Sequence, residues 1–316
     1  DTLNQALRLN PEHLKSRLNL GNVYFDMQKF NKTCEQYQQV LQTNPEYLDA
    51  VYNYGTILES IKEIDSAEKL YRDTLNKVHA QELVNRLVDI LIHKNDCQEA
   101  LNILHDYELV NNYELSLKIL DCFFQNEHPE QLTEIINKNW MNESSILVYA
   151  AQKFLELYSS QTYRDNRIEV YGLDLLPEHE PLDSAENHLF TALENTPNNP
   201  EIYHHLGDIY IKRNDPDQAQ KYYQAAANLD INYLQGFTSL IREHLKNWEA
   251  EKAFELTEKV LTEYDITDPS IYFQLAEVLD NFGYQQQTAR IAKIGLEAHP
   301  ETAELYVIMG NILADQ

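Results

Sequence analysis

The sequence predicts an all-α chain of helix hairpins repeated end to end, and three observations carry that prediction. In the stretch Pro200–Asp230, Tyr203, Leu206, Gly207 and Tyr210 fall on one helical face. After a polar turn at Asn214-Asp215-Pro216 a second set follows, Ala219, Tyr223 and Ala226. Second, punctuating residues recur at fixed intervals: Pro11 to Pro45 and Gly21 to Gly55 are each 34 residues, and Pro197 to Pro300 and Gly207 to Gly310 are each 103. Third, of eight glycines in 316 residues, Gly21, Gly55, Gly207 and Gly310 directly follow Leu, Tyr, Leu and Met. Glycine inside a helix costs about 1 kcal/mol relative to alanine. Its return to one slot implies a close approach between the two helices of a hairpin, and Ala219 is the residue expected to meet Gly207.

Taken in order, residues 1–10 read as the second helix of a partial repeat, with Ala6 and Pro11 in place. Leu14–Tyr47 carries Leu20-Gly21, Tyr24, Tyr37, Val40 and Pro45, with Thr33 in the small-residue slot. Leu48–Gln81 carries Tyr54-Gly55, Leu58, Ala67 and Tyr71, and its second helix is expected to start at Asp65-Ser66, a good capping pair. The register then loosens. Residues 81–111 keep Leu87, Leu91, Ala100 and Leu104 but hold Val88 where glycine stood, and residues 112–139 are helical by periodicity alone. Ser144–Tyr158 is a further amphipathic helix, whose expected partner is Ser184–Asn195. Between them, Ser159–Asp183 is an insertion where a short turn would do, with Gly172, Pro177 and Pro181 interrupting any long helix. It reads either as a loop laid against the helices or as a docking arm. Residues 234–268 and 269–302 are repeats again, and Glu304–Asp315 is a first helix bearing Tyr306, Met309, Gly310 and Leu313.

These residues resemble the tetratricopeptide repeat (TPR) family, whose period is 34 residues. The resemblance implies a right-handed superhelix of roughly nine hairpins, the terminal ones incomplete. One solenoid would then span residues 1–316: regular repeats at 1–111, degenerate ones with the inserted loop at 112–196, and regular repeats again at 197–316. The sequence starts without Met, so its true amino terminus is expected to lie upstream.

Composition narrows the chemistry. A net charge of −26 argues against nucleic acid, which is gripped by Lys and Arg, and against an anionic membrane surface. No apolar run approaches the length of a membrane span. Cys34, Cys97 and Cys122 show no CxxC spacing and read as unpaired thiols of a reducing, cytoplasmic compartment. There is no phosphate-loop GK pair, no HExxH and no GxSxG. His204-His205 are adjacent, so on a helix their side chains point about 100° apart and should not share a metal. Asp215-Pro216-Asp217 resembles a DxD motif but sits where Asp caps a second helix, as Asp96 does. His179 reads as a solvated loop histidine. No catalytic, cofactor or metal site is expected.

What remains is the groove that the first helices of TPR proteins line. The resemblance places there Asp26, Asp49, Glu59, Glu82, Asp89, Glu201, Asp208, Glu277, Asp280 and Glu304, against the cations Lys15, Lys212, Arg242 and Lys246. The acids of the first three repeats face no cation but Lys15 on this reading. Asn22, Asn53 and Asn311 would bond a ligand backbone, and Phe25, Tyr52 and Phe273 would supply apolar contact. The two-carboxylate clamp of chaperone-binding TPR proteins is half present: Asn22, Asn53 and Arg86 match, but Leu18 and Glu82 stand where lysines are needed. The expected function is a non-enzymatic scaffold for protein or peptide segments, basic ones among them. The alternative is the substrate-recognition arm of a larger enzyme such as a protein glycosyltransferase.

Overall fold

Residues 2–126, 129–159 and 180–314 are described by a computed structural model, and every regular element among them is helical. Two compact units divide the chain, residues 1–127 and 128–316.

The amino-terminal unit holds α1 (Thr2–Leu9), α2 (Leu14–Asp26), α3 (Phe30–Thr43), α4 (Leu48–Ser60), α5 (Ile64–Leu75), α6 (Gln81–His93), α7 (Cys97–Asp106) and α8 (Tyr113–Asn126). Each helix packs on the next. The carboxy-terminal unit holds α9 (Pro129–Trp140), α10 (Ser144–Ser159), α11 (Glu180–Asn195), α12 (Pro200–Lys212) and α13 (Pro216–Leu229). A short 3₁₀ turn at Ile231–Leu234 leads into α14 (Gln235–Lys246), α15 (Ala250–Glu263), α16 (Pro269–Asn281), α17 (Gln285–Ala298) and α18 (Ala303–Ala314). The expected pairing of Ser144–Tyr158 with Ser184–Asn195 is found as α10 on α11. It is fastened by Phe154 against His188 and by Asn195 donating to the Met141 carbonyl at 3.2 Å. Most of the insertion, residues 160–179 with His179, lies outside the described residues.

Hairpin turns follow one local rule. The second residue after the first helix adopts positive φ at Gln28, Lys62, Asn95, Asn214, Trp248 and Gly283. Only glycine takes that conformation without strain. Trp248 does so while 93% exposed. Asp96 and Asp215 then cap the second helix, accepting from the Glu99 and Gln218 amides at 3.3 and 3.1 Å. Asp65-Ser66 do not: α5 begins at Ile64, one residue earlier, and Asp65 instead pairs with Lys94.

The glycine slot works differently from the sequence reading. A Cβ placed on Gly21 would lie 2.5 Å from Tyr37 Cε1, one on Gly55 would collide with Tyr71, and one on Gly207 with Tyr223. The nearest atoms belong to the tyrosine ring of the second helix in each case, so Ala219 is not what meets Gly207. A flat ring fills the space that a side chain would need. A second glycine, Gly236 on α14, also abuts the Tyr223 ring. Tyr37, Tyr71 and Tyr223 are all buried.

The cysteine expectation is corrected as well. Cys97 at the start of α7 and Cys122 on α8 form a disulfide, their Cα atoms 5.7 Å apart, and only Cys34 is free. Packing of α7 on α8 brings together two residues that spacing alone could not pair.

Candidate functional site

Three tyrosines connect the core to the face of the first helices. Each ring threads the glycine gap and its hydroxyl emerges beside a polar residue of α2, α4 or α12. Tyr37 donates to Asn22 Oδ1, Tyr71 to Glu59 Oε1 at 2.7 Å, and Tyr223 to Asp208 Oδ1 at 2.8 Å. All three acceptors are residues that the repeat pattern assigns to the groove. Burial pushes the Tyr37 phenol up to about 12, opposed by hydrogen bonding to Asn53 and assisted by the charge of Asp26. Burial likewise raises Tyr71, and the adjacent Glu59 carboxylate raises it further.

In the amino-terminal unit, a cavity of about 320 Å³ opens between α2 and α4. Its lining brings together Asn22, Phe25, Asp26, Tyr52 and Asn53, with the Tyr37 hydroxyl end as part of the floor. The floor is partly committed. Asn22 Oδ1 also accepts from Asn53 Nδ2 at 3.2 Å, which leaves the Asn22 amide hydrogens and the Asn53 carbonyl with hydrogen-bonding capacity to spare. Phe25 and Tyr52 are 43% and 36% exposed, and Phe30 steadies Phe25 edge-on at 6.0 Å. No ion pair to Asp26 is formed among the described residues.

Two of the acids expected to be free of cations are not. Glu59 is paired with Arg86 at 3.6 Å, and Arg86 also donates to Tyr52 Oη at 3.0 Å with its guanidinium 5.2 Å from that ring. Asp89 is paired with Lys118 at 3.0 Å. Both cations come from the next first helix along, a placement that counting within each repeat could not reveal. The pairing also removes Arg86 from any carboxylate clamp. Asp26, Asp49 and Glu82 remain as exposed acids of this face.

In the carboxy-terminal unit, Asp208 lies in a second cavity of about 560 Å³ between α10, α12 and α14, which Lys212 also lines. Adjacent in sequence, His204 and His205 converge on the same Asp208 oxygen: His205 Nδ1 stands 3.4 Å from Oδ2 and His204 Nε2 3.7 Å from it. The sequence reading had pointed them apart; a carboxylate one turn on reaches both rings. Among the described residues, no group of three His, Cys, Asp or Glu is arranged to hold a metal. Arg242 on α14 and Asn311 on α18 are exposed, Phe273 on α16 is half-buried, and none of them lines either cavity.

Family models described as tetratricopeptide repeat match residues 18–81 and 189–221. The chain is similar to the crystal structure of YrrB, a TPR protein with an unusual peptide-binding site, at 13% identity over 75% of this chain and 96% of that one, with a TM-score of 0.31. It is also similar to the APC/C hetero-tetramer Cut9-Hcn1, at 12% identity over 98% of this chain and 58% of that one, with a TM-score of 0.34. Neither likeness is close enough to argue from. No curated protein matches.

Proposed function

The chain is a tetratricopeptide-repeat protein, and from that premise we propose that it is a non-enzymatic scaffold whose amino-terminal unit holds an extended, basic peptide segment across α2, α4 and α6. The fold class is that of protein-interaction scaffolds. One observation supports the finer reading: in the cavity between α2 and α4, amide groups with spare hydrogen-bonding capacity sit beside two exposed aromatic rings and a carboxylate without an ion pair. A peptide backbone would bond the Asn22 and Asn53 amides. A lysine or arginine would meet Asp26 and the face of Phe25, a cation–π contact contributing about 0.5–1 kcal/mol where exposed, while Arg86 already covers the Tyr52 ring. Asp49 and Glu82 extend the field, which contributes to on-rate and orientation more than to affinity. A charge of −26 makes nucleic acid a poor fit, and no helix among the described residues is long and apolar enough to cross a membrane.

The test is selection from a randomised peptide library on the purified chain and on the variant Asp26→Lys with Asp49→Lys. Wild type should enrich Lys- and Arg-bearing sequences and lose them as salt rises through about 0.15 M, where charges are screened beyond about 8 Å. The variant should keep its helicity and lose that enrichment. Enrichment of the same sequences by both proteins would refute the reading.

A further inference from the structure

The cavity of the carboxy-terminal unit carries a separate inference, because its floor holds a carboxylate that no lysine or arginine among the described residues pairs with. Asp208 accepts from the Tyr223 hydroxyl at 2.8 Å on Oδ1 and from the His205 ring at 3.4 Å on Oδ2. Burial pushes its carboxyl up, yet the bond from His205, the nearby His204 and the bond from Tyr223 outweigh that and hold it below the usual range, so it is ionised near neutrality. Burial drives the His204 pKa down against the pull of Asp208, and its Nδ1 is buried without a partner. Among the described residues, no lysine or arginine comes within ion-pair distance of Asp208. Asp208 is partly buried, its side chain 30% exposed, and a carboxylate half withdrawn from water favours a paired cation.

The other walls show what would relieve it. Gln152 on α10 donates one amide hydrogen to His205 Nε2 at 2.7 Å and approaches Glu201 at 3.3 Å. Its carbonyl oxygen and the Ser239 hydroxyl are acceptors at the same cavity, and Leu155 and Ile211 form apolar wall. Glu156 stands at the rim, 3.5 Å from Lys153. Lys212 is the opposing charge, with its ammonium on Ser159 Oγ at 2.7 Å. The volume falls within the range of about 300–1,000 Å³ usual for ligand sites.

We propose that this cavity seats an arginine side chain of a protein partner, with the guanidinium on Asp208 and the methylenes along Leu155 and Ile211. A guanidinium suits it better than an ammonium for two reasons. Its five N–H groups can reach Asp208, Gln152 and Ser239 together from one plane. It is also more weakly hydrated, so entering a partly enclosed site strips less water from it. The site is independent of the peptide reading for the other unit and stands or falls separately.

The experiment is a titration of the full chain with N-acetyl-argininamide, followed through the His205 ring and Gln152 side-chain NMR signals. Saturable shifts are expected, with N-acetyl-lysinamide weaker. Asp208→Asn should weaken the arginine probe by about tenfold or more, a charge-assisted bond being replaced by a neutral one. Lys212→Gln, which leaves Asp208 and its donors in place, should tighten it by about two- to threefold. Absence of saturable shifts, or equal binding by wild type and both variants, would overturn the proposal. If Asp208→Asn fails to fold, Lys212→Gln and the lysine comparison still decide it: unchanged affinity in the first and parity in the second would each count against the site.

Discussion

Gly207→Ala isolates the device that builds the hairpins. On helix propensity alone, alanine in the middle of α12 should gain about 1 kcal/mol. Against that, the new Cβ enters the Tyr223 ring, which has little retreat: Gly236 also abuts it and the hydroxyl is fixed to Asp208 at 2.8 Å. Overpacking of a well-filled core costs about 1–3 kcal/mol and occasionally more. With the ring clamped, the upper part of that range applies, and the net expectation is a loss of about 2 kcal/mol. Gly21→Ala meets only Tyr37, for which no second glycine contact exists. With one glycine against it instead of two, that ring is less confined, so the net change there should be near zero or a loss of about 1 kcal/mol. Urea unfolding of both variants and of Gly207→Ala with Tyr223→Leu measures the effect. The double variant should recover about 1 kcal/mol or more relative to the sum of the singles, because removing the ring removes the collision. If Gly207→Ala stabilises the protein, or if the two changes simply add, the ring is not what the glycine makes room for.

Two further outcomes follow from buried groups. Reducing the Cys97–Cys122 bond, which closes a separation of 25 residues, should cost about 3.5 kcal/mol by loop-closure entropy; urea melts of residues 2–126 with and without reductant check it, and thiol titration of the unfolded, unreduced chain should find Cys34 alone. Burial depresses the pKa values of His188 and His204, so the fold refuses protons that the unfolded chain accepts. Their stabilisation is full above the ordinary histidine value of about 6.5 and is lost as pH falls through it. Melting of the carboxy-terminal unit should drop between about pH 7 and 5, ahead of any loss through Asp208, whose contribution goes only below the usual carboxylate range of about 4. A flat melting profile across that window would contradict the assignment.

The hairpin architecture was legible because glycine and proline spacing reports local geometry directly. Leu206-Gly207 marks a close approach wherever it appears. What presses into the gap was not legible, since Ala219 and Tyr223 both lie on the facing helix and only packing decides which is nearer. The aromatic and amide residues of the α2–α4 cavity could be picked out by repeat position, and Asn22, Phe25, Asp26, Tyr52 and Asn53 share one cavity. The charge state of that face could not be read. Arg86 reaches back to Glu59, and Lys118 to Asp89. Each pair spans consecutive repeats, so a tally within one repeat counts the acid and misses its cation. Convergence of His204 and His205 escaped for a related reason: the angle between adjacent side chains says nothing about a flexible carboxylate one turn away.

The positions of the two tryptophans have an optical consequence. Trp140 closes α9 at 1% exposure, whereas Trp248 stands in its strained turn almost wholly in water. Both belong to residues 128–316, and the sequence contains no others. Indole emission is therefore blind to the first 127 residues. Of the two emitters, one is already solvent-relaxed in the native protein, so the red shift on denaturation comes from Trp140. Acrylamide should quench Trp248 at once and leave a blue-edge component from Trp140 until α9 comes away. Trp248→Phe would leave a single-reporter protein in which fluorescence follows the carboxy-terminal unit, while far-ultraviolet ellipticity follows all the helices. The gap between those two curves would then measure the amino-terminal unit.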